Sequence, residues 1–293
     1  MLARSMRRPV VLVTNDDGIH AKGLHALEAA LATVGRVVTV APETEQSAMS
    51  HAMTLSRPLR LRQLAPHRYA VDGTPVDCVY VAMLHAGVLP ARPLLVVSGI
   101  NHGLNLGSDV FYSGTVAAAR EGAMRGVPAI AISLASGGDI VGTAELARAL
   151  AEHLLSLRFE ASATPLLNVN VPRGRIRGIA ATRLGPRVYE DLVDIRQDPR
   201  GRHYLWIGGP SVVQPRIPGT DTAAHDRGWV SVTPLGVDLV NTAHLPMVDA
   251  TVAAVSVEAR EIRSSGRARA NGATKRAPSR ARKTSRSSAS ERP

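Results

Sequence analysis

Val10-Val11-Leu12-Val13-Thr14-Asn15-Asp16-Asp17-Gly18 starts as an apolar, β-branched run and ends in polar residues and a glycine. Such a run reads as a short buried strand that stops in a loop. Beyond it, Leu24, Leu27 and Leu31 recur at helical spacing between about Ala21 and Thr33, and Gly35 closes that helix. Arg36 to Val40 reads as a second strand, stopped by Ala41-Pro42. A strand, a loop, a helix and a second strand open a doubly wound sheet.

The same alternation continues downstream. Pro93 to Val97 reads as a strand, and a Gly/Asn-rich loop follows from Ser98 to Gly114. A helix is expected from Thr115 to Arg125, where Ala117, Ala118, Ala119 and Ala123 favour it and Gly126 and Pro128 stop it. Strands at Ala129–Leu134 and Leu166–Val171 flank a helix over Thr143–Leu157. Past Pro172, Gly, Pro and Arg become frequent and helical periodicity is lost. Tyr204 to Ile207 and Trp229 to Thr233 read as strands separated by a long polar loop. A short helix near Val248 to Ile262 ends the patterned chain. The expected fold class is therefore α/β: a Rossmann-like, doubly wound, mostly parallel sheet with helices on both faces. The expected domains are an extension over 1–8, a core over about 9–172, a β-rich segment over 173–263 and a tail over 264–293.

Composition supports this reading. The 293 residues are 45% apolar but only 3% aromatic, so Val, Leu, Ile and Ala must build the core. That suits parallel strands buried on both faces. No apolar run approaches the roughly 20 residues of a membrane helix. Val10–Val13 is too short for a signal-peptide core. Cys78 stands alone, fits a reducing compartment and reads as a core residue. A cytoplasmic protein is expected. The net charge of +11 suggests a nucleic-acid binder until it is mapped. Residues 264–293 hold nine Lys or Arg and one acid, Glu291, which leaves +3 for everything before them. A Ser/Ala/Arg tail of this kind buries too little apolar surface to order itself. It is either a loose polyanion anchor or a solubilising extension.

Three polar loops follow strands, where open α/β sheets bind ligands. In the first, Asp16 and Asp17 repel each other unless a hard divalent cation lies between them, or unless one simply caps a helix. The second, Glu43-Thr44-Glu45-Gln46-Ser47-Ala48-Met49-Ser50-His51, offers a hydroxyl at Ser47. The third runs from Ser98 through Asn101, His102 and Asn105 to Asp109, and its glycines permit close backbone approach to a ligand. It contains neither a dinucleotide fingerprint nor a P-loop. Tyr112-Ser113-Gly114-Thr115 then opens a helix. A hydroxyl-rich helix start is an anion site or an ordinary cap.

These motifs together resemble the SurE nucleotidases. The similarity lies in Val13 to Gly18, Ala41-Pro42 through Ser47, Gly73-Thr74-Pro75-Val76-Asp77-Cys78-Val79, Ser98 to Gly107, and Tyr112 to Ala119. Asp198 to Arg202 before Tyr204-Leu205-Trp206, and Gly228 to Leu235, continue it in order. The resemblance covers about Pro9 to Ile262 and leaves the basic tail outside. It implies a Rossmann-like core, a β-hairpin arm, and a C-terminal segment exchanged between subunits in homodimers or tetramers. It implies hydrolysis of nucleoside 5′- and 3′-monophosphates, with short polyphosphate as a further substrate. One divalent metal, Mg²⁺ or Mn²⁺, would be held by Asp16, Asp17, Ser47 and Asn101. Asp16 and Asp17 would be catalytic. Asn15, Asn105, Ser113, Gly114 and Thr115 would cradle phosphate. His51 and His102 are candidate proton donors or supporting residues. The rival readings are a nucleic-acid binder acting through its basic tail with a vestigial core, and a metal-free nucleotide-binding module.

Overall fold

The computed structural model describes residues 8–160, 164–189, 193–207, 212–213, 215–253 and 255. The chain divides into two compact units, Met1–Val237 and Asp238–Pro293. In the first, β1 (Val10–Thr14), α1 (Lys22–Leu31) and β2 (Arg36–Pro42) follow one another as expected. A hairpin of β3 (Leu61–Ala65) and β4 (Arg68–Val71) comes next, then α2 (Pro75–Leu84), β5 (Leu95–His102), α3 (Gly114–Met124), β6 (Ala129–Leu134), α4 (Ile140–Ser156) and β7 (Leu166–Val171). The remainder holds β8 (Ile179–Ala181), β9 (Val188–Tyr189), β10 (Val193–Gln197), β11 (His203–Ile207), β12 (Val212–Val213), α5 (Asp221–Asp226) and β13 (Val230–Pro234).

Nine strands form one mixed sheet in the order β3-β4-β2-β1-β5-β6-β7-β13-β8. From β4 through β7 the neighbours run parallel, whereas β3 and β13 are antiparallel to β4 and β7. All five residues of β1 are buried. Val11 and Val13 pack with Leu24 and Leu27 of α1 and Ala144 and Ala147 of α4. Leu12, pointing the other way, packs with Cys78 and Val79 of α2 and Val116 and Ala119 of α3. Alternate side chains of one strand thus feed two apolar layers, and helices cover both faces. Each fully buried Val or Leu contributes about 1.5–3 kcal/mol. The small residues of α3 allow close approach: a Cβ on Gly122 would lie 2.6 Å from Val96 Cγ2.

From β1 the chain turns outward to β2 and β4, then returns to place β5 on the other side of β1. The carboxyl ends of β1 and β5 therefore flank the point where strand order reverses, the place where such sheets bind ligands.

Several elements differ from the sequence reading. β5 does not end at Val97 but runs to His102, because Asn101 and His102 pair with Ser133 and Leu134 beyond an irregularity after Ser98. The β3–β4 hairpin and α2 carry no assignment in the sequence reading. The sheet also continues past Pro172, since β13 slots beside β7 and β8 beside β13. The polar loop before Trp229 contains α5. β10 and β11 form a separate hairpin with Ile195, Leu205, Trp206 and Ile207 exposed. In the second unit, residues 245–253 and 255 are helical. The rest of the helix expected to Ile262 and the basic tail lie outside the described residues, as do residues 1–7.

Candidate active site

The turn after β1 is shaped by its own residues. Asn15 Nδ2 donates to the Gly18 carbonyl at 2.9 Å. Gly18 holds φ +94° and passes so close to Thr44 that a Cβ would lie 3.2 Å from its carbonyl carbon. Gln46 N–H donates to the Asp16 carbonyl at 2.8 Å, which fixes the second polar loop against the first.

This arrangement leaves Asp16 buried, at 5% exposure, against the start of α3. Its Oδ1 accepts from the Thr115 hydroxyl. Gly114 makes the approach possible, because a Cβ there would lie 2.9 Å from Asp16 Cβ. Burial pushes the Asp16 carboxyl up to about 6, with the Asp17 charge adding to the rise and the Thr115 hydrogen bonds opposing it. Burial also raises Asp17, whose Oδ2 accepts the His102 N–H at 3.2 Å, and the Glu45 charge pushes it further. The His102 N–H and its ring charge oppose that rise without cancelling it.

Asp17, Ser47, Asn101 and His102 line one cavity of about 510 Å³, with Lys22 and Glu45. Ser47 Oγ donates to Glu45 Oε1 at 2.7 Å, so the Ser47 oxygen retains its lone pairs. Asn101 Nδ2 donates to the Gly103 carbonyl at 2.9 Å, leaving its amide oxygen to accept. Asp16, Gly114 and Thr115 form an adjoining cluster beneath. Ser113 caps α3 by accepting from Val116 N–H at 3.1 Å. The helix start, read from sequence as an anion site or an ordinary cap, is thus capped by Ser113 and shared with the Asp16 carboxylate.

Asn15, Asp16, Ser113, Gly114 and Thr115 stand outside the cavity wall, and Asn105 and His51 belong to networks of their own. Asn105 sits in a buried amide network, donating to Ser133 Oγ at 2.8 Å while its N–H meets Asn170 Oδ1 at 2.7 Å. His51 Nε2 lies 3.0 Å from Glu121 Oε2. Glu121, 4% exposed, also accepts from Arg125 Nε at 2.6 Å. Burial pushes the Glu121 carboxyl up, but the His51 and Arg125 hydrogen bonds outweigh that and hold it low. Two further ties anchor the same loop: Ser50 N–H donates to the Tyr112 carbonyl at 2.9 Å, and the Thr74 hydroxyl donates to the Ala52 carbonyl at 2.7 Å.

The donor chemistry suits a hard divalent cation. Asp16, Asp17, Ser47 and Asn101 offer only oxygen, as Mg²⁺ and Mn²⁺ prefer. Asn15 Oδ1 is buried beside the two acids without a hydrogen-bond partner among the described residues, as an atom facing a missing positive group would be. No group of three or more His, Cys, Asp or Glu gathers among the described residues, so the donor set must mix carboxylates with hydroxyl and amide oxygens.

A profile of the family described as Survival protein SurE matches residues 11–191. A protein of Sorangium cellulosum named 5′-nucleotidase SurE is 55% identical over 241 residues, 81% of this chain and 93% of that protein. The chain belongs to the SurE family. A Vibrio cholerae relative with the same name is 48% identical over 237 residues, covering 80% of this chain and 93% of its own length. The crystal structure of the SurE protein from Aquifex aeolicus superposes with a TM-score of 0.73 at 37% identity, covering 83% of this chain and 99% of that one. The SurE match spans every candidate site residue from Asp16 to Thr115. Sequence reasoning passed over Glu45, Lys22 and Glu121. Glu45 stood two residues before Ser47 in the polar loop, a visible signal. Glu121 carried none, being one acid on an Ala-rich helix.

Proposed function

We propose that this SurE protein is a 5′-nucleotidase, a phosphoric monoester hydrolase that converts nucleoside monophosphates to nucleoside and phosphate. Two adjacent, desolvated acids at the sheet's switch point, beside a cavity into which Ser47 and Asn101 bring further oxygens, carry this reading, and the family relationship supports it. Asp16, Asp17, Ser47 and Asn101 would hold one divalent ion, Mg²⁺ or Mn²⁺. When bound, such an ion supplies positive charge for the phosphoryl group and a water of lowered pKa.

The chain's own residues do the remaining work. The Thr115 hydroxyl and the start of α3 hold Asp16 in one orientation. The His102 N–H holds Asp17, whose free oxygen orients the attacking water at the cavity wall. Ser113, Gly114 and Thr115 present the α3 N-terminus to phosphate oxygens, with Asn15 beneath them. Asn105 supports this floor through Asn168, Asn170 and Ser133. The Thr115 hydroxyl on Asp16 Oδ1 favours a ligand role for Asp16 over direct attack on phosphorus. His102 would give a proton to the leaving alcohol, while His51 braces the Ser47 loop.

Because these groups address phosphate rather than sugar or base, the activity extends to 3′-monophosphates and short polyphosphate. The exposed β10–β11 hairpin and the C-terminal segment are the proposed contacts of a homodimer or tetramer. No helix among the described residues is long and apolar enough to cross a membrane. With its single, buried thiol, the enzyme acts in the cytoplasm. A panel of nucleoside monophosphates assayed across metals tests the reading. EDTA should stop phosphate release, and Mn²⁺ or Mg²⁺ should restore it. Undiminished turnover in EDTA, or nucleotide binding with no turnover in any metal, would overturn it.

A further inference from the structure

A second cleft, of about 730 Å³, opens beside the catalytic cavity. Arg173, Arg175, Arg177, His225, Asp226 and Arg227 line it. The first three arginines alternate along one exposed segment after β7 and have no acidic partner among the described residues. The cleft's one carboxylate, Asp226, is already drawn toward Arg216 at 3.5 Å. Arg227 lies 5.7 Å from the Trp229 ring centroid, and its Nε donates to the Ala223 carbonyl at 3.2 Å. Four guanidinium groups around one cleft with a single shared acid repel one another unless an anion joins them.

The cleft adjoins the catalytic cavity. Gly137, which lines that cavity with Asp17 and Asn101, packs against Arg173 closely enough that a Cβ would lie 3.5 Å from the guanidinium carbon. Gly137 follows β6 and Arg173 follows β7, so both belong to the carboxyl edge of the sheet. A mononucleotide with its phosphate at Asp17 and Asn101 has no further anionic group to give these arginines. A chain of phosphates does.

We infer that the arginine cleft carries the phosphodiester backbone of a single-stranded oligonucleotide whose terminal phosphate enters the catalytic cavity. This rests on the proposed phosphatase reading and extends its substrate class. Water adds to the terminal phosphorus, the bond from phosphorus to the terminal oxygen breaks, and that oxygen takes the proton. The products are a hydroxyl-ended oligonucleotide and inorganic phosphate. The arginines position the chain and take no part in this exchange.

The test compares 5′-phosphorylated hexadeoxyadenylate with deoxyadenosine 5′-monophosphate on the full chain, wild type and Arg175→Ala/Arg177→Ala. The wild type should prefer the hexamer by about tenfold or more in kcat/KM at low salt, and the double variant should lose that preference with mononucleotide kinetics unchanged. Binding of the labelled hexamer in EDTA, read by fluorescence anisotropy, should weaken about tenfold, and its salt slope should flatten by about 1.4 for two lost phosphate contacts. The basic tail is identical in both proteins. If it alone holds the hexamer, the variant will match wild type and the inference fails. A wild type that favours the mononucleotide also overturns it. Absence of mononucleotide hydrolysis would instead sink the underlying reading.

Discussion

The corner around Asp221 and the rim around Asp16 both bury a carboxylate, and they treat it in opposite ways. Asp221 is fully buried, and its oxygens accept N–H groups from Gly107 at 2.9 Å, Gly185 at 2.7 Å and Thr222 at 2.8 Å. Those bonds replace water and tie a loop near the site to the start of α5. Asp16 receives the Thr115 hydroxyl, faces a second acid and is pushed up to about 6 by burial. Buried charge is therefore no functional signal by itself. The informative state is a buried charge left short of partners at a topological switch point.

The largest expected effect separates the two regions by activity. Asp16→Asn and Asp17→Asn should each cut kcat/KM for nucleoside monophosphates by about a thousandfold or more, roughly 4 kcal/mol of barrier. Both variants should still unfold cooperatively. Near-normal turnover in either would remove the rim's claim to chemistry. Asp221→Ala should do the reverse. Three backbone N–H groups lose their acceptor, so stability in a urea titration should fall by about 3–4 kcal/mol while turnover per folded molecule stays within about threefold. A loss under about 1 kcal/mol would mean water replaces the carboxylate there, and the contrast would dissolve.

A subtler test asks what Asp16 costs the fold. Its carboxyl binds a proton more tightly folded than unfolded, so ionisation opposes folding. The stability it allows is fully present below its ordinary 3.8 and is lost as pH rises through about 6. In EDTA at pH 7.5, Asp16→Asn should therefore be more stable than wild type by up to about 3 kcal/mol. The gap should close below pH 4. Added Mn²⁺ should raise the melting temperature of wild type and leave the variant unchanged. A variant that melts below wild type in EDTA would show that Asp16 is satisfied, as Asp221 is.

The rim was legible in the sequence because its signals are local. An apolar run broken by Asn15-Asp16-Asp17-Gly18 announces both a strand end and a charge problem, and the Ser47 and Asn101 loops repeat the pattern. The Asp221 corner was not legible, since its donors come from Gly107 and Gly185, far away in the chain, and nothing near Asp221 foretells them. The β3–β4 hairpin escaped because β3 is largely exposed and shows no clean alternation. α2 left a clue in Thr74 and Asp77, which form a capping box with Pro75 at the first helical turn. Asn168 and Asn170 were visible as polar residues inside an apolar strand, yet their meeting with Asn105 belongs to the tertiary fold.

Glu121 lies between the two regions in character and gives the smallest effect. It is buried like Asp221 and well partnered, but what it holds is His51, four residues from Ser47. If it only braces that loop, Glu121→Gln keeps part of the hydrogen bonding and loosens the Ser47 side of the cavity. KM for nucleoside monophosphates should then rise about fivefold, near 1 kcal/mol, with kcat within about twofold. A kcat loss of tenfold or more at constant KM would point the other way, to His51 moving a proton in the reaction and Glu121 orienting its ring. The split between KM and kcat thus decides whether the brace belongs with the satisfied corner or with the reactive rim.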